Sequence, residues 1–210
     1  MTEVVRTLET LELVGGALCL DFVNTINSRR NPEHDYLMQY SDLVAWATKL
    51  GILSSTQNSQ LQKRARQNLH EAENALLAAR TLRDLLYSLF SKAAAGSEPR
   101  KKDLDIFTVF YGESISRGQF VKRETHYGTT WSFDEALESP LWPVIHAAGE
   151  LLLSLELDQV KECPGCGWLF LDTSKNQSRR WCSMNTCGAR DKMRRYHKKK
   201  SAKESRRLTS

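Results

Sequence analysis

The chain is short of cysteine and proline, with five of each in 210 residues. It has no apolar run near the roughly 18 residues a membrane-spanning helix needs, so no membrane partner is expected. No hydrophobic secretory segment opens it, and the expected compartment is a reducing cytoplasm, where disulfides are rare. A phosphate-cradling glycine loop, an H-E-x-x-H, a nucleophile elbow and an internal repeat are all missing. No nucleophile–base pair stands out either. The expectation is therefore a protein without catalytic residues, not an enzyme.

What cysteine there is falls in one place. Four of the five lie in Cys163-x-x-Cys166 and Cys182-x4-Cys187, with fifteen residues between the pairs. Zn²⁺ takes four soft ligands in a tetrahedron and has no ligand-field preference. A Cys-x-x-Cys turn supplies one edge of that tetrahedron and the second pair supplies the other. All four positions are then filled by protein, which argues for one structural zinc rather than a catalytic one. The competing readings are a pair of disulfides or a redox Cys-x-x-Cys. The compartment argues against the first. The apolar run Trp168 to Leu171 argues against the second, because a redox motif sits at a strand-to-helix turn. The fifth cysteine, Cys19, lies in the apolar run Ala17 to Leu20 and reads as a buried free thiol.

Around these cysteines the pattern predicts a hairpin, a loop and a helix. Gln159–Glu162 forms the first strand, Pro164-Gly165 the knuckle and Trp168–Leu171 the return. Gly165 and Gly167 permit positive φ. Residues 172–178 are polar and read as a loop, and a helix starts near Cys187. This is a treble-clef-like order. On that helix Ala189, Met193, Tyr196 and the stem of Lys200 make one stripe, expected to pack on Trp168, Phe170 or Trp181. The rest of the helix is cationic. Residues 163–210 carry 13 Lys and Arg against 3 Asp and Glu, whereas residues 1–162 carry 17 against 22. Such asymmetry points to a polyanionic partner.

These residues resemble a known family. Cys163-Pro-x-Cys166, Phe170-x-Asp172-x-Ser174-x-Asn176, Ser178-Arg179-Arg180-Trp181-Cys182-Ser183-Met184, Cys187-Gly188-x-Arg190, Lys192 and Arg194-Arg195-Tyr196 carry the likeness. The chain is similar to CGNR-type zinc-finger proteins with an N-terminal ABATE domain, described as stress-induced transcription regulators. Gly15-Gly16-Ala17-Leu18-x-Leu20-Asp21-Phe22-x-Asn24-Thr25 resembles the ABATE opening. Asp35, Leu37 and Ser41-Asp42-Leu43-x-x-Trp46 resemble the next segment of that domain. The resemblance implies a finger that binds nucleic acid and a role in stress response. One departure stands out: the family's eponymous asparagine, expected to hydrogen-bond near the zinc, is Ala189 here.

The remaining chain reads as mainly α (α+β). A helix is expected to carry Leu18, Phe22 and Ile26. A second is capped by Ser41 and stopped by Gly51. One kinked helix or two cover 55–95, and another covers 103–117. A β-hairpin is expected over 119–133 with Tyr127-Gly128 at its turn. Pro140 opens a last helix whose core face runs from Leu141 to Leu155. The expected domains are an α-rich unit over 1–158, the zinc finger over 159–202 and a basic, disordered tail over 203–210. Asp21, Asn24, Arg29 and Asp35 have two readings, a polar pocket for a small-molecule effector or a buried hydrogen-bond network holding helices together; the second is the commoner fate of such clusters.

The functional expectation is a DNA-binding transcription regulator with an N-terminal sensing or dimerising domain, a homodimer being one form. Lys175, Asn176, Arg179, Arg180, Arg190, Arg194 and Lys198 are the expected nucleic-acid contacts. The alternatives are an RNA- or ribosome-associated protein, in which Trp168, Trp181 and Tyr196 stack on bases, and a protein-interaction module with a basic face.

Overall fold

The computed structural model describes residues 6–133 and 136–208. Seven α-helices and two two-stranded antiparallel sheets make it up: α1 Leu18–Val23, α2 Tyr40–Lys49, α3 Ser55–Gln67, α4 Leu69–Ala94, α5 Lys101–Arg117, β1 Gln119–Lys122, β2 Tyr127–Thr130, α6 Trp142–Leu153, β3 Val160–Glu162, β4 Leu169–Leu171 and α7 Ala189–Leu208. No helix among the described residues is long and apolar enough to cross a membrane.

The helices begin and end for local reasons. Gly51 holds φ +70° after α2, a left-handed stop that costs glycine little. Ser54 caps α3 in a reciprocal box with Gln57. Asn68 caps α4 by accepting from Glu71 N–H, so the 55–95 pattern is two helices. Four boundaries differ from the pattern. Helix α1 stops at Val23, so Ile26 is not on it and instead bridges Asp35. The cap of α2 is Gln39 with Asp42, and Ser41 lies inside the helix. The β1–β2 turn lies at residues 123–126, with Lys122 opposite Tyr127, because Tyr127 and Gly128 belong to the second strand. Helix α6 stops at Leu153, which leaves Leu155 95% exposed rather than in the core.

Helix α4 is the axis of the core. It packs against α1, α2, α3, α5 and the β3–β4 hairpin, while α6 covers α1 and α5. Trp46, Phe22, Phe90, Leu82, Leu86 and Leu89 are fully buried, with Phe22 and Trp46 edge to face at 5.2 Å. Cys19 is buried among them, and burial pushes its thiol up to about 12. Two α4 arginines reach out of the helix to fix the chain after α1. Arg83, itself buried, grips both carboxylate oxygens of Asp35 at 2.7 and 2.6 Å and the Thr25 carbonyl at 3.0 Å. Arg80 donates twice to the Leu37 carbonyl.

The cysteine-bearing hairpin is grafted into this core. Strand β4 is buried along its whole length. The Asn24 amide donates to the Leu169 carbonyl at 2.8 Å and accepts from the Leu169 N–H at 3.0 Å, so a side chain pairs the outer edge of the strand. The Leu171 N–H donates to the Gly15 carbonyl at 2.8 Å. Gly15 and Gly16 are required by closeness: a Cβ on Gly15 would lie 2.8 Å from the Asp21 nitrogen, and Gly16 holds φ +78° against Leu171.

Asn24→Ala leaves the Leu169 N–H and C=O unpaired in a dry interior and should cost about 2–4 kcal/mol. Urea unfolding read by tryptophan emission should show a lower midpoint in one transition. Two separated transitions would mean that hairpin and helical core melt independently.

Candidate metal centre and nucleic-acid surface

The knuckle begins where β3 ends. The Cys163 N–H donates to the Trp168 carbonyl and the Gly167 N–H to the Cys163 carbonyl, each at 2.8 Å. Gly167 turns the chain at φ +77°, with Arg29 so close that a Cβ would sit 2.8 Å from the Arg29 Cβ. Gly165 is not in the left-handed region. Its smallness leaves room for Cys187, whose Sγ would be 3.2 Å from an added Cβ. Cys187 arrives on a π-turn, Met184–Gly188, that leads straight into α7.

These elements bring the ligand atoms of Cys163, Cys166, Cys182 and Cys187 within 4.8 Å of one another, all four residues buried. The Cys166 and Cys182 sulfurs are 3.5 Å apart. A tetrahedral zinc with Zn–S bonds of about 2.3 Å needs S···S edges of roughly 3.8 Å, which falls inside that span. The donor set is all sulfur and four-fold, so the residues fit one structural zinc. Bound there, the ion would cross-link the knuckle to the root of α7, with no position left for water.

The loop between the pairs is built around Asp172. Burial opposes its ionisation, but Lys161, Ser174 and the Arg179 N–H outweigh that and hold its carboxyl well below the usual range. Lys161 donates to it at 2.6 Å and also reaches the Gln177 carbonyl. Arg179 then turns inward. Its guanidinium lies 4.4 Å over the Phe170 ring and donates to the Trp181 and Cys182 carbonyls. The sequence pattern places Arg179 on a phosphate; the structure uses it to hold the segment that carries Cys182.

Of the other expected contacts, Lys175, Asn176, Arg180, Arg190, Arg194 and Lys198 are all exposed. Arg180 lies 4.9 Å over the Trp181 ring. Arg194 and Arg195 both pair with the buried Asp191, at 2.7 and 2.6 Å. The apolar stripe of the helix is not packed. Met193 is 58% and Tyr196 63% exposed, and Ala189 is exposed too. The surfaces expected to receive it are already taken: Phe170 is fully buried under Arg179, and Trp168 lies against residue 26 with its Nε1–H on the Ile26 carbonyl at 2.6 Å. The helix continues through Leu208, beyond the point where the tail was expected to lose structure; Thr209 and Ser210 lie outside the described residues.

The four N-terminal polar residues do not gather. Asp21 accepts from the Gly15 N–H, Asn24 clamps Leu169, Asp35 takes Arg83, and Arg29 pairs with Asp84 at 2.6 Å. None of the four lines either cleft beside the zinc site. Arg29 instead ties domain to knuckle: its backbone N–H donates to the Cys166 carbonyl at 2.7 Å, where the Ser28 hydroxyl also donates. A cleft of about 360 Å³ opens between the 6–36 segment and the cysteines, with Asn27, Tyr36, Trp168 and Arg190 in its wall. No local pattern marked Asn27, Ser28 or Tyr36, because the residues they face across that cleft lie far along the chain.

Comparison with known families gives two matches. Residues 16–154 match ABATE, described as "Putative stress-induced transcription regulator", and residues 159–200 match the CGNR zinc finger. Comparison with curated proteins finds none that matches.

Cys166→Ala should abolish stoichiometric zinc binding, read with a chromophoric chelator after thiol modification; one retained zinc per chain would refute the ligand set. Asp172→Asn keeps all four thiols but loosens the segment before Cys182. It should release zinc to a competing chelator faster than the wild type, and an unchanged release rate would contradict the role given to that loop.

Proposed function

The chain belongs to the ABATE family and carries a CGNR zinc finger; from this premise we propose that it is a DNA-binding transcription regulator. The α-rich N-terminal domain receives the signal or pairs two chains, and the zinc-rooted helix α7 meets the duplex. The observation that carries the reading is the state of α7. Twenty residues long, it is exposed from Lys192 to Lys200, and its Arg and Lys outnumber its acids. At 1.5 Å per residue it is about 30 Å long, enough to cross a major groove. A helix that buries no apolar face in its own fold is stabilised by its root and by what it binds.

Four protein sulfurs fill the tetrahedron, so the metal supports binding and not hydrolysis. RNA association is the weaker reading. It needs free aromatic faces for stacking, and of the three candidates Trp168 is buried and Trp181 lies under Arg180, which leaves Tyr196.

Binding to a random-sequence DNA duplex should fall with salt at a slope of about −4 to −5 in log K against log[salt], as expected for five neutralised phosphates. Zinc chelation should abolish it. Lys198→Ala should reduce the slope by about 1 without altering zinc content. A flat salt response would overturn the reading, and binding that survives chelation would assign it to an unstructured basic tail.

A further inference from the structure

A second cleft, of about 230 Å³, lies on the knuckle between the loop and α7. Arg180 comes to it from the loop, and Arg190 and Arg194 from the helix; Pro164, Gly165, Trp181, Asp191 and the zinc ligand Cys187 complete the wall. Three arginines from two separate segments thus line one small space. Like charges gathered this way repel one another, and a bound anion would offset that repulsion.

Within the fold the offset is incomplete. Asp191 is the one carboxylate in the wall, and it is already divided between Arg194 and Arg195. The Arg180 guanidinium carbon lies 4.9 Å from the centroid of the Trp181 ring, and Arg180 has no carboxylate partner among the described residues. Arg190 has no carboxylate partner among the described residues. Arg194 commits part of its fork to Asp191 and keeps further N–H donors. The cleft is large enough for a tetrahedral oxyanion, and planar guanidinium forks match the geometry of phosphate oxygens.

We propose that this cleft seats one backbone phosphate of the DNA, gripped by Arg180 and Arg190 with Arg194 as the third donor. The proposal rests on the DNA-binding reading above and goes beyond it. One phosphate is held in a built site whose two walls, knuckle and α7, a bound zinc would tie together, and this fixes the angle at which the helix enters the groove. The other cations meet phosphates as point charges. The rival account is that these arginines merely balance the charge of a zinc tetrathiolate.

The test uses the full zinc-loaded chain, a 20-base-pair random duplex and binding measured across a salt series. The double variant Arg180→Ala, Arg190→Ala should weaken binding by about 10–100-fold near physiological salt and reduce the slope by about 1, the share of one phosphate. The charge-preserving double variant Arg180→Lys, Arg190→Lys should recover the slope but less than half of the lost affinity, because lysine has no fork. Zinc release to a chelator should stay at the wild-type rate in both. Full rescue by lysine would overturn the seat while leaving the DNA-binding reading intact. So would unchanged binding with faster zinc release, the result expected if the arginines serve the metal. Failure of the wild type to bind in a salt-dependent way would overturn both.

Discussion

Four thiolates held within 4.8 Å of one another repel unless a cation lies among them, and zinc is the cation this donor set fits. Everything downstream of residue 163 depends on that constraint. The knuckle has one short strand on each side, and the described part of α7 leaves its apolar stripe in solvent. A zinc ion converts these pieces into a closed unit by bonding the knuckle to the π-turn from which α7 grows. Binding energies on the order of 10 kcal/mol in comparable sites show why such a small unit can hold a 20-residue helix in place.

The unit does not stand alone. Its hairpin fills a gap in the helical core, with Asn24 acting as a strand partner for Leu169, Trp168 bonded to the Ile26 carbonyl and the Cys166 carbonyl receiving Arg29. Two family units matched over separate stretches of chain thus share one core. A change around residues 24–36 reaches the zinc ligands through hydrogen bonds to their own backbone, and the cleft between the two units is bounded by both. This is the physical route by which an N-terminal domain would act on the helix it presents.

Much of the fold was legible in the sequence, and what was not has a common cause. The paired cysteines, the apolar steps of α3 to α6 and Gly51 are local signals, and each marks its element; Pro140 marks a 3-10 turn, and α6 begins after it at Trp142. The position of a helix face is not local. Met193 and Tyr196 fall at packing intervals, but Phe170 and Trp168 already have other partners, so the stripe stays in solvent. Nor does a charge count distinguish jobs. Arg83, Arg29 and Arg179 are engaged inside the molecule by Asp35, Asp84 and two carbonyls, while Arg180 and Arg190 face out. Asp21, Asn24, Arg29 and Asp35 lie close in sequence yet serve four different contacts, because their partners are scattered along the chain.

The central claim is that metal centre and helical core form one cooperative structure. Native-state hydrogen exchange, compared with zinc bound and with zinc removed by a chelator, tests it most directly. The account predicts that removal strips protection from the Leu169 and Leu171 amides, and also from the 24–36 segment and the facing part of α4. Loss of protection confined to residues 159–200, with the 24–36 segment unchanged, would contradict it.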